Sequence, residues 1–357
     1  MKKLLFSFIL VLCGALTAVA QGTMNVGIML PLHNVDGDGR RMVEYYRGIL
    51  LAVDQLKETG MNINVHAWNV NIDADPRTFL LQDGAAECNV IFGPLYTKQV
   101  KTIADFCQSY GIKMVIPFSI NGNDVDNYPC IYQVYQSPDD FNTTTIKQIS
   151  EQFANYHFVF IDCNDSTSRK GIFTTALKTV FNQKHIGYNI TNVNTPDDQF
   201  AKAFSLTQPN MVIINSGRSP ELTRVMDKLD VLTAANQNLQ VTMFGYNEWL
   251  MYAKYNKDRF AKYNVYLPTN YYFNENNSQT KALMAKYRNS FGQDMSYALP
   301  HFALTGYDHA MYFIGKKSTW LQTPLNFQKT STTSGYRNKA FYLVHYKPNG
   351  GIEAVKY

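Results

Sequence analysis

Apolar runs rich in β-branched and aromatic residues alternate along this chain with stretches whose apolar positions recur at helical spacing. NVGIMLPL (25–32) reads as a strand, MVEYYRGILLAVDQLKETG (42–60) as a helix closed by Gly60, and INVHAWNV (63–70) as the next strand. NVIFGPL, the helical stretch TKQVKTIADFCQSYG (97–111) and KMVIPFS (113–119) repeat the unit, and YPCIYQVYQ (128–136) adds another strand. Strands alternating with crossover helices predict a parallel sheet, here of about five strands.

A second series begins after Ser137-Pro138. It runs through a helix to Tyr156, strand HFVFIDC (157–163), a helix near 168–182 and strand GYNITNV (187–193). Helix PDDQFAKAF, strand NMVIINS (210–216), helix SPELTRVMDKLDVL (219–232) and strand VTMFGYN (241–247) continue it. The tail departs from this rhythm. NVYLPTNYYF (264–273) reads as a long strand, PHFALTGYDHAMYFIGKK (300–317) as a helix, and FYLVHYKPNGGIEAVKY as a hairpin turning at Pro348-Asn349-Gly350-Gly351. Such a tail suits a chain that crosses back between two domains, and 357 residues exceed what one compact core usually holds.

The first residues change the count. Lys2 and Lys3 precede an apolar run, Leu4 to Leu16, and Ala18-Val19-Ala20 supplies small residues at the positions a signal peptidase reads. A leader cleaved after Ala20 is expected, so residues 1–20 form a signal peptide and the rest is periplasmic, with no membrane insertion once the leader is gone. Leu12 before Cys13 does not fit a lipid-attachment site. Without Lys2 and Lys3, 31 basic residues face 28 acidic ones, a balance too even and too dispersed for a nucleic-acid partner. The 24 tyrosines and an aromatic share of 14% suit a packed domain pair.

Four cysteines remain, Cys88, Cys107, Cys130 and Cys163. A helix over 97–110 packed antiparallel to strand 89–93 returns Cys107 toward Cys88, and Val100, Ile103, Ala104 and Cys107 share one helical face. Two readings follow: a Cys88–Cys107 disulfide, or two buried free thiols.

The order of units, the Gly93-Pro94-Leu95 turn, the VIPFS strand end (115–119), the segment YALPHFALTGYDHAMYFIGK (297–316) and the closing hairpin together resemble the type I periplasmic-binding-protein fold. That family includes branched-chain amino-acid-binding proteins and the ligand-binding domains of several receptors. The similarity spans nearly all of the chain after the leader. It is closest to a bacterial subgroup often fused to peptidoglycan-binding LysM modules and related to activator lipoproteins of cell-wall synthases. This chain departs from the fused members because the stretch between Ala20 and Asn25 has no room for such a module. The resemblance implies an α/β protein of two doubly wound parallel-sheet lobes joined by three crossovers, with a cleft between them. Residues 23–136 with 272–320 would form the first lobe, and 137–271 with 321–357 the second.

In doubly wound sheets ligands sit beyond the carboxyl ends of the strands, where helix N-termini present free N–H groups. Thr97 stands where it could cap a helix, and Tyr96 offers a ring and a hydroxyl; equally, Thr97 only caps and Tyr96 only packs. Other strand ends add Phe118, Ser119 and Asn121 on the first lobe, and Ser166, Ser216, Arg218, Tyr246 and Glu248 on the second. In amino-acid-binding relatives the first lobe holds a carboxylate with Ser or Thr hydroxyls, and the second supplies aromatics and an acid for the ammonium. By that resemblance Thr97 and Ser119 take the first role, Tyr246 and Glu248 the second. Pro94-Leu95-Tyr96 replaces the relatives' small hydroxyl residues, and Phe118 with Ile120 makes the adjacent turn bulky, so protein partly fills the cleft on this reading.

Other chemistry finds little purchase. Asn34, Asp36, Asp38 and Gly39 match half a calcium loop, but Tyr45 stands where a bidentate Glu belongs. The seven histidines lack metal-ligand spacing, and no GxSxG elbow, P-loop or GxGxxG follows a strand. The sequence therefore predicts no cofactor, no metal and no enzyme. The expected function is an extracytoplasmic solute-binding protein closing on a small polar ligand, amino-acid-like or carboxylate, with an ABC permease as partner. The alternative is an envelope scaffold that regulates cell-wall assembly through another cell-envelope protein.

Overall fold

The computed structural model describes residues 22–118, 122–317 and 320–357. The expected leader lies outside them. Strands β1 (Met24–Leu30), β2 (Ile63–Asn69), β3 (Val90–Phe92), β4 (Lys113–Ile116) and β5 (Ile131–Gln133) pair in parallel. So do β6 (His157–Asp162), β7 (Tyr188–Asn192), β8 (Asn210–Ile214), β9 (Val241–Phe244) and β10 (Tyr266–Thr269). The tail adds β11 (Phe327–Lys329), β12 (Tyr336–Asn338), β13 (Tyr342–Tyr346) and β14 (Ile352–Lys356). The result is two seven-stranded sheets, ordered β11-β12-β5-β4-β3-β1-β2 and β14-β13-β10-β9-β8-β6-β7.

Both sheets share one plan. In each, the strand order reverses where the first strand meets the third, β1 against β3 and β6 against β8. The helices leaving those strands go to opposite faces, which opens a crevice at the carboxyl ends.

The lobe assignment of the tail needs correcting. Residues 327–338 were expected with the second lobe, yet β12 pairs in parallel with β5 and closes the first sheet. Tyr336 stacks on Tyr132 with ring centroids 4.4 Å apart, burying aromatic area that would otherwise face solvent at the sheet edge. The third crossover is therefore the short step from Asn338 to Phe341. The strand expected over 264–273 is only Tyr266–Thr269, since Thr269 Oγ1 donates to the Tyr271 carbonyl at 2.8 Å and turns the chain into the second crossover.

The first lobe is held by the crossing of helices Gly37–Glu58 and Phe302–Phe313. A Cβ on Gly48 would lie 1.9 Å from the Ala303 carbonyl oxygen, and one on Gly306 would lie 2.0 Å from that of Tyr45. The two backbones touch, which only glycine permits. Beneath them the Tyr45 hydroxyl meets His309 Nδ1 at 2.9 Å, with both side chains fully buried. Asp36 caps the first of these helices by accepting the Gly39 N–H at 2.7 Å, so the stretch that half-matched a calcium loop serves as a helix start.

Cys88 and Cys107 are not bridged. All of Cys88, Cys107, Cys130 and Cys163 are free thiols. Cys88 and Cys107 share one apolar core with Ile91, Val100 and Met114, and the Cys88 thiol donates to the Gly84 carbonyl at 3.3 Å. Burial pushes the Cys88 thiol up to about 11, and the Cys107 thiol further. No helix among the described residues is long and apolar enough to cross a membrane.

Candidate functional site

On the first lobe the expected residues turn inward or to other tasks. Tyr96, not Thr97, is the N-cap of helix Thr97–Tyr110, and it caps with extended backbone and no side-chain hydrogen bond. Thr97 is therefore the first helical residue, exposed to solvent. The Tyr96 hydroxyl donates to Asp38 at 3.2 Å, and burial together with the Asp38 charge pushes it up to about 12. Phe118 packs edge-on or tilted against Tyr45, Tyr135 and Phe302, with centroids 5.4–5.8 Å apart. Its ring is thus packed against the first lobe's core. Ser119 and Asn121 lie outside the described residues.

The second lobe is different. At its strand reversal the loops after β6 and β8 meet through Asp165, whose side chain is only 2% exposed. Ser216, fully buried, donates its hydroxyl to Asp165 at 2.7 Å, and Thr167 donates both its hydroxyl, at 2.6 Å, and its N–H, at 3.0 Å. The Thr167 and Ser216 hydrogen bonds, with Arg218 nearby, hold the Asp165 carboxyl down at about 2. Arg218 stands over this knot, 3.6 Å from Asp165 and donating to the Thr167 hydroxyl at 3.1 Å. Ser166 sits exposed at the tip of the same turn.

Tyr246 and Glu248 are joined by a residue the sequence reading passed over. Lys170 Nζ lies 2.6 Å from Glu248 Oε1 and 4.6 Å from the centre of the Tyr246 ring. Tyr246 is itself buried, its hydroxyl donating to the Ile214 carbonyl at 2.5 Å, and burial raises its pKa well above the ordinary phenol value. Its ring face is already taken by a cation from the protein. A signal for Lys170 was present: Arg169, Lys170 and Arg218 put positive charge at the starts of helices Lys170–Gln183 and Ser219–Ala235, where the helix dipole disfavours it.

Two cavities meet at Lys170. One, about 580 Å³, lies at the strand reversal between Asp139, Ser168, Arg169, Arg218 and Glu248. The other, about 300 Å³, lies under the first and second crossovers, between Gln136, Phe141, Thr145, Tyr246 and Asn270. Pro138, Asn142, Lys170 and Phe173 line both. Of the expected residues, Arg218, Glu248 and Tyr246 come together here, with Ser216 behind them. Tyr96, Thr97 and Phe118 line neither cavity.

Solved structures cover the same ground. A candidate branched-chain amino acid ABC transporter protein from Rhodospirillum rubrum aligns over 93% of this chain and 100% of its own, with a TM-score of 0.61 and 11% identity. The chain has the type I periplasmic-binding-protein fold. A branched-chain amino acid ABC transporter periplasmic ligand-binding protein from Burkholderia xenovorans shares that fold over 93% of this chain and 94% of its own, at TM-score 0.52 and 12% identity. So does the C-domain of LpoA from Haemophilus influenzae, a regulator of PBP1A, over 93% and 99%, at TM-score 0.53 and 17% identity. No protein-family model and no curated protein matches the sequence.

Proposed function

We propose that the chain is an extracytoplasmic solute-binding protein whose lobes close on a small polar ligand, held chiefly by the second lobe and the hinge. The observation that carries this reading is the larger cavity at the carboxyl ends of β6 and β8, where doubly wound sheets bind ligands, with the smaller one adjoining it beneath the crossovers. Phe173 and Pro138 give both cavities apolar wall, and polar side chains converge on it. Three cations and two carboxylates ring the larger cavity, so it can grip a polar molecule without a large net field. The first lobe contributes closure more than chemistry on this reading, because Phe118 occupies its face. An ABC permease is the partner such a role calls for, and the periplasm is the compartment.

Mass spectrometry of gently purified protein tests it. A small polar molecule retained near one per chain, and lost from Lys170→Met, is the expected result. If nothing is retained and no compound in a broad panel raises the melting temperature, the solute reading fails. The likeness to the LpoA C-domain then favours an envelope scaffold regulating cell-wall assembly.

A further inference from the structure

A third cavity lies away from the cleft. It holds about 410 Å³, within the range of small-ligand sites, and is walled by helices Gly37–Glu58, Ser278–Phe291 and Phe302–Phe313 together with Lys317 and Leu321 beyond them. Helix Gly37–Glu58 leaves the carboxyl end of β1, and Gln55 stands about 27 Å along it from Gly37 at 1.5 Å per residue. The cavity therefore sits toward the far end of the first lobe, and it shares no lining residue with either cleft cavity.

Its chemistry has two parts. Leu283, Met311 and Leu321 make an apolar floor, with Leu283 and Met311 buried, and Gln279, Ala282, Leu283 and Lys286 turn one face of their helix to it at i, i+3, i+4 and i+7. The neutral polar groups satisfy each other, since the Tyr307 hydroxyl donates to Gln55 Oε1 at 2.6 Å. What is left is positive charge. Among the described residues the lining holds two lysines, Lys286 and Lys317, and no carboxylate. Lys286 reaches only Glu58, at 3.5 Å and with the Glu58 side chain 70% exposed, and Lys317 forms no ion pair with a described residue. The larger cleft cavity differs, because its cations face carboxylates.

An apolar floor under unbalanced cations selects a molecule that carries both complements. An inorganic anion would leave the floor wet, and exposed lysines alone hold little in water. An uncharged hydrocarbon would leave the lysines unused. We propose that this groove binds an amphipathic carboxylate of medium chain length, with its acidic group at Lys286 and Lys317 and its apolar body on Leu283, Met311 and Leu321. The flexible Met311 thioether lets the floor adapt to the chain. This site is separate from the solute cleft and does not rest on it.

Isothermal titration calorimetry of the whole protein with sodium octanoate, sodium hexanoate and octanamide tests it. Octanoate binds, hexanoate binds about tenfold more weakly for want of buried methylenes, and uncharged octanamide binds about threefold or more weakly. Lys286→Met with Lys317→Met keeps the apolar stems and removes the charges, so the double variant binds octanoate no better than octanamide. Ala282→Trp, at an exposed helix position on the groove wall, fills the groove and abolishes octanoate binding with the melting temperature unchanged. Lys170→Met, in the cleft, leaves octanoate binding as in wild type. Failure of octanoate to bind the wild type overturns the proposal, as does octanamide binding as tightly as octanoate. Binding that survives Ala282→Trp, or that Lys170→Met removes, places the carboxylate elsewhere and overturns this site. If Ala282→Trp lowers the melting temperature, the double lysine variant decides alone: a preference for octanoate over octanamide that persists in it overturns the site.

Discussion

Arg337 ties the two lobes together, and replacing it measures what that tie contributes. It leaves β12 in the first sheet and forks onto both Asp126 oxygens at 3.0 Å, while Nη1 reaches Asp140 at 3.2 Å in the first turn of the second lobe's helix Pro138–Gln152. Lys339, in the third crossover, holds the other Asp140 oxygen at 3.0 Å. Removing one partner of a fully buried pair costs about 3–5 kcal/mol, whereas exposed pairs are worth about 0–1 kcal/mol. This network lies between those limits. The Arg337 side chain is 13% exposed, but those of Asp126 and Asp140 are 43% and 27% exposed. Asp140 also keeps Lys339 when Arg337 is gone, so Arg337→Met should cost about 2 kcal/mol.

The control is Arg288→Met, whose pair with Asp294 is 68% exposed on both sides and should be worth less than about 0.5 kcal/mol. Urea unfolding followed by tryptophan fluorescence reports on both lobes, because Trp68 is in the first and Trp249 in the second. In 1 M salt, where screening acts over about 3 Å, the Arg337 cost should persist and the Arg288 cost should vanish. Equal losses in the two variants, or an Arg337 cost that salt abolishes, would refute the view that this network is a sheltered clasp at the hinge.

Gly306→Ala should destabilise the first lobe by about 2 kcal/mol or more in the same assay, since its Cβ would collide with the Tyr45 carbonyl. Gly171→Ala, where a Cβ meets nothing within 4 Å inside helix Lys170–Gln183, should instead stabilise by about 0.5 kcal/mol; equal signs would contradict the packing described. Burial lowers the His309 pKa to about 3, so between its ordinary value of 6.5 and that limit the unfolded chain binds a proton that the folded one does not, and stability falls as pH falls. From pH 6.5 to 5.0 wild type should lose about 1.6 kcal/mol more than His309→Asn, which keeps an acceptor near the Tyr45 hydroxyl; identical slopes would show that His309 is not held neutral.

The sheets were legible where their strands were long and apolar. NVGIMLPL and HFVFIDC needed no context, and their alternation with helices left parallel pairing as the economical arrangement. The short strands Phe327–Lys329 and Tyr336–Asn338 were not legible, because three residues carry no period and the Ser/Thr-rich stretch between them reads as loop. What places them is the stacking of Tyr336 on Tyr132, a contact 204 positions apart in sequence. The site divides in the same way. Arg218 and Glu248 could be found because strand ends in this architecture face the crevice. Lys170 was hidden inside an expected helix, and Gln136, Thr145 and Asn270 are ordinary residues until the crossovers bring them round one space.

On the first lobe the described residues of the expected site are engaged with their own neighbours. A Gly-Pro turn opening a helix resembles an anion site, but the turn's own neighbours decide whether donors stay free. Here Asp38 takes the Tyr96 hydroxyl, and Phe118 seals the adjacent strand end against Tyr45 and Phe302. In the second lobe Lys170 pairs with Glu248, and Arg218 stands over Asp165 at the strand reversal. Gln136 Nε2 donates to the Ala340 carbonyl at 3.0 Å and so links the first crossover to the third. On the proposed solute-binding reading, a ligand beneath these crossovers would sit against the segments that bend as the lobes close, so recognition and closure would be coupled.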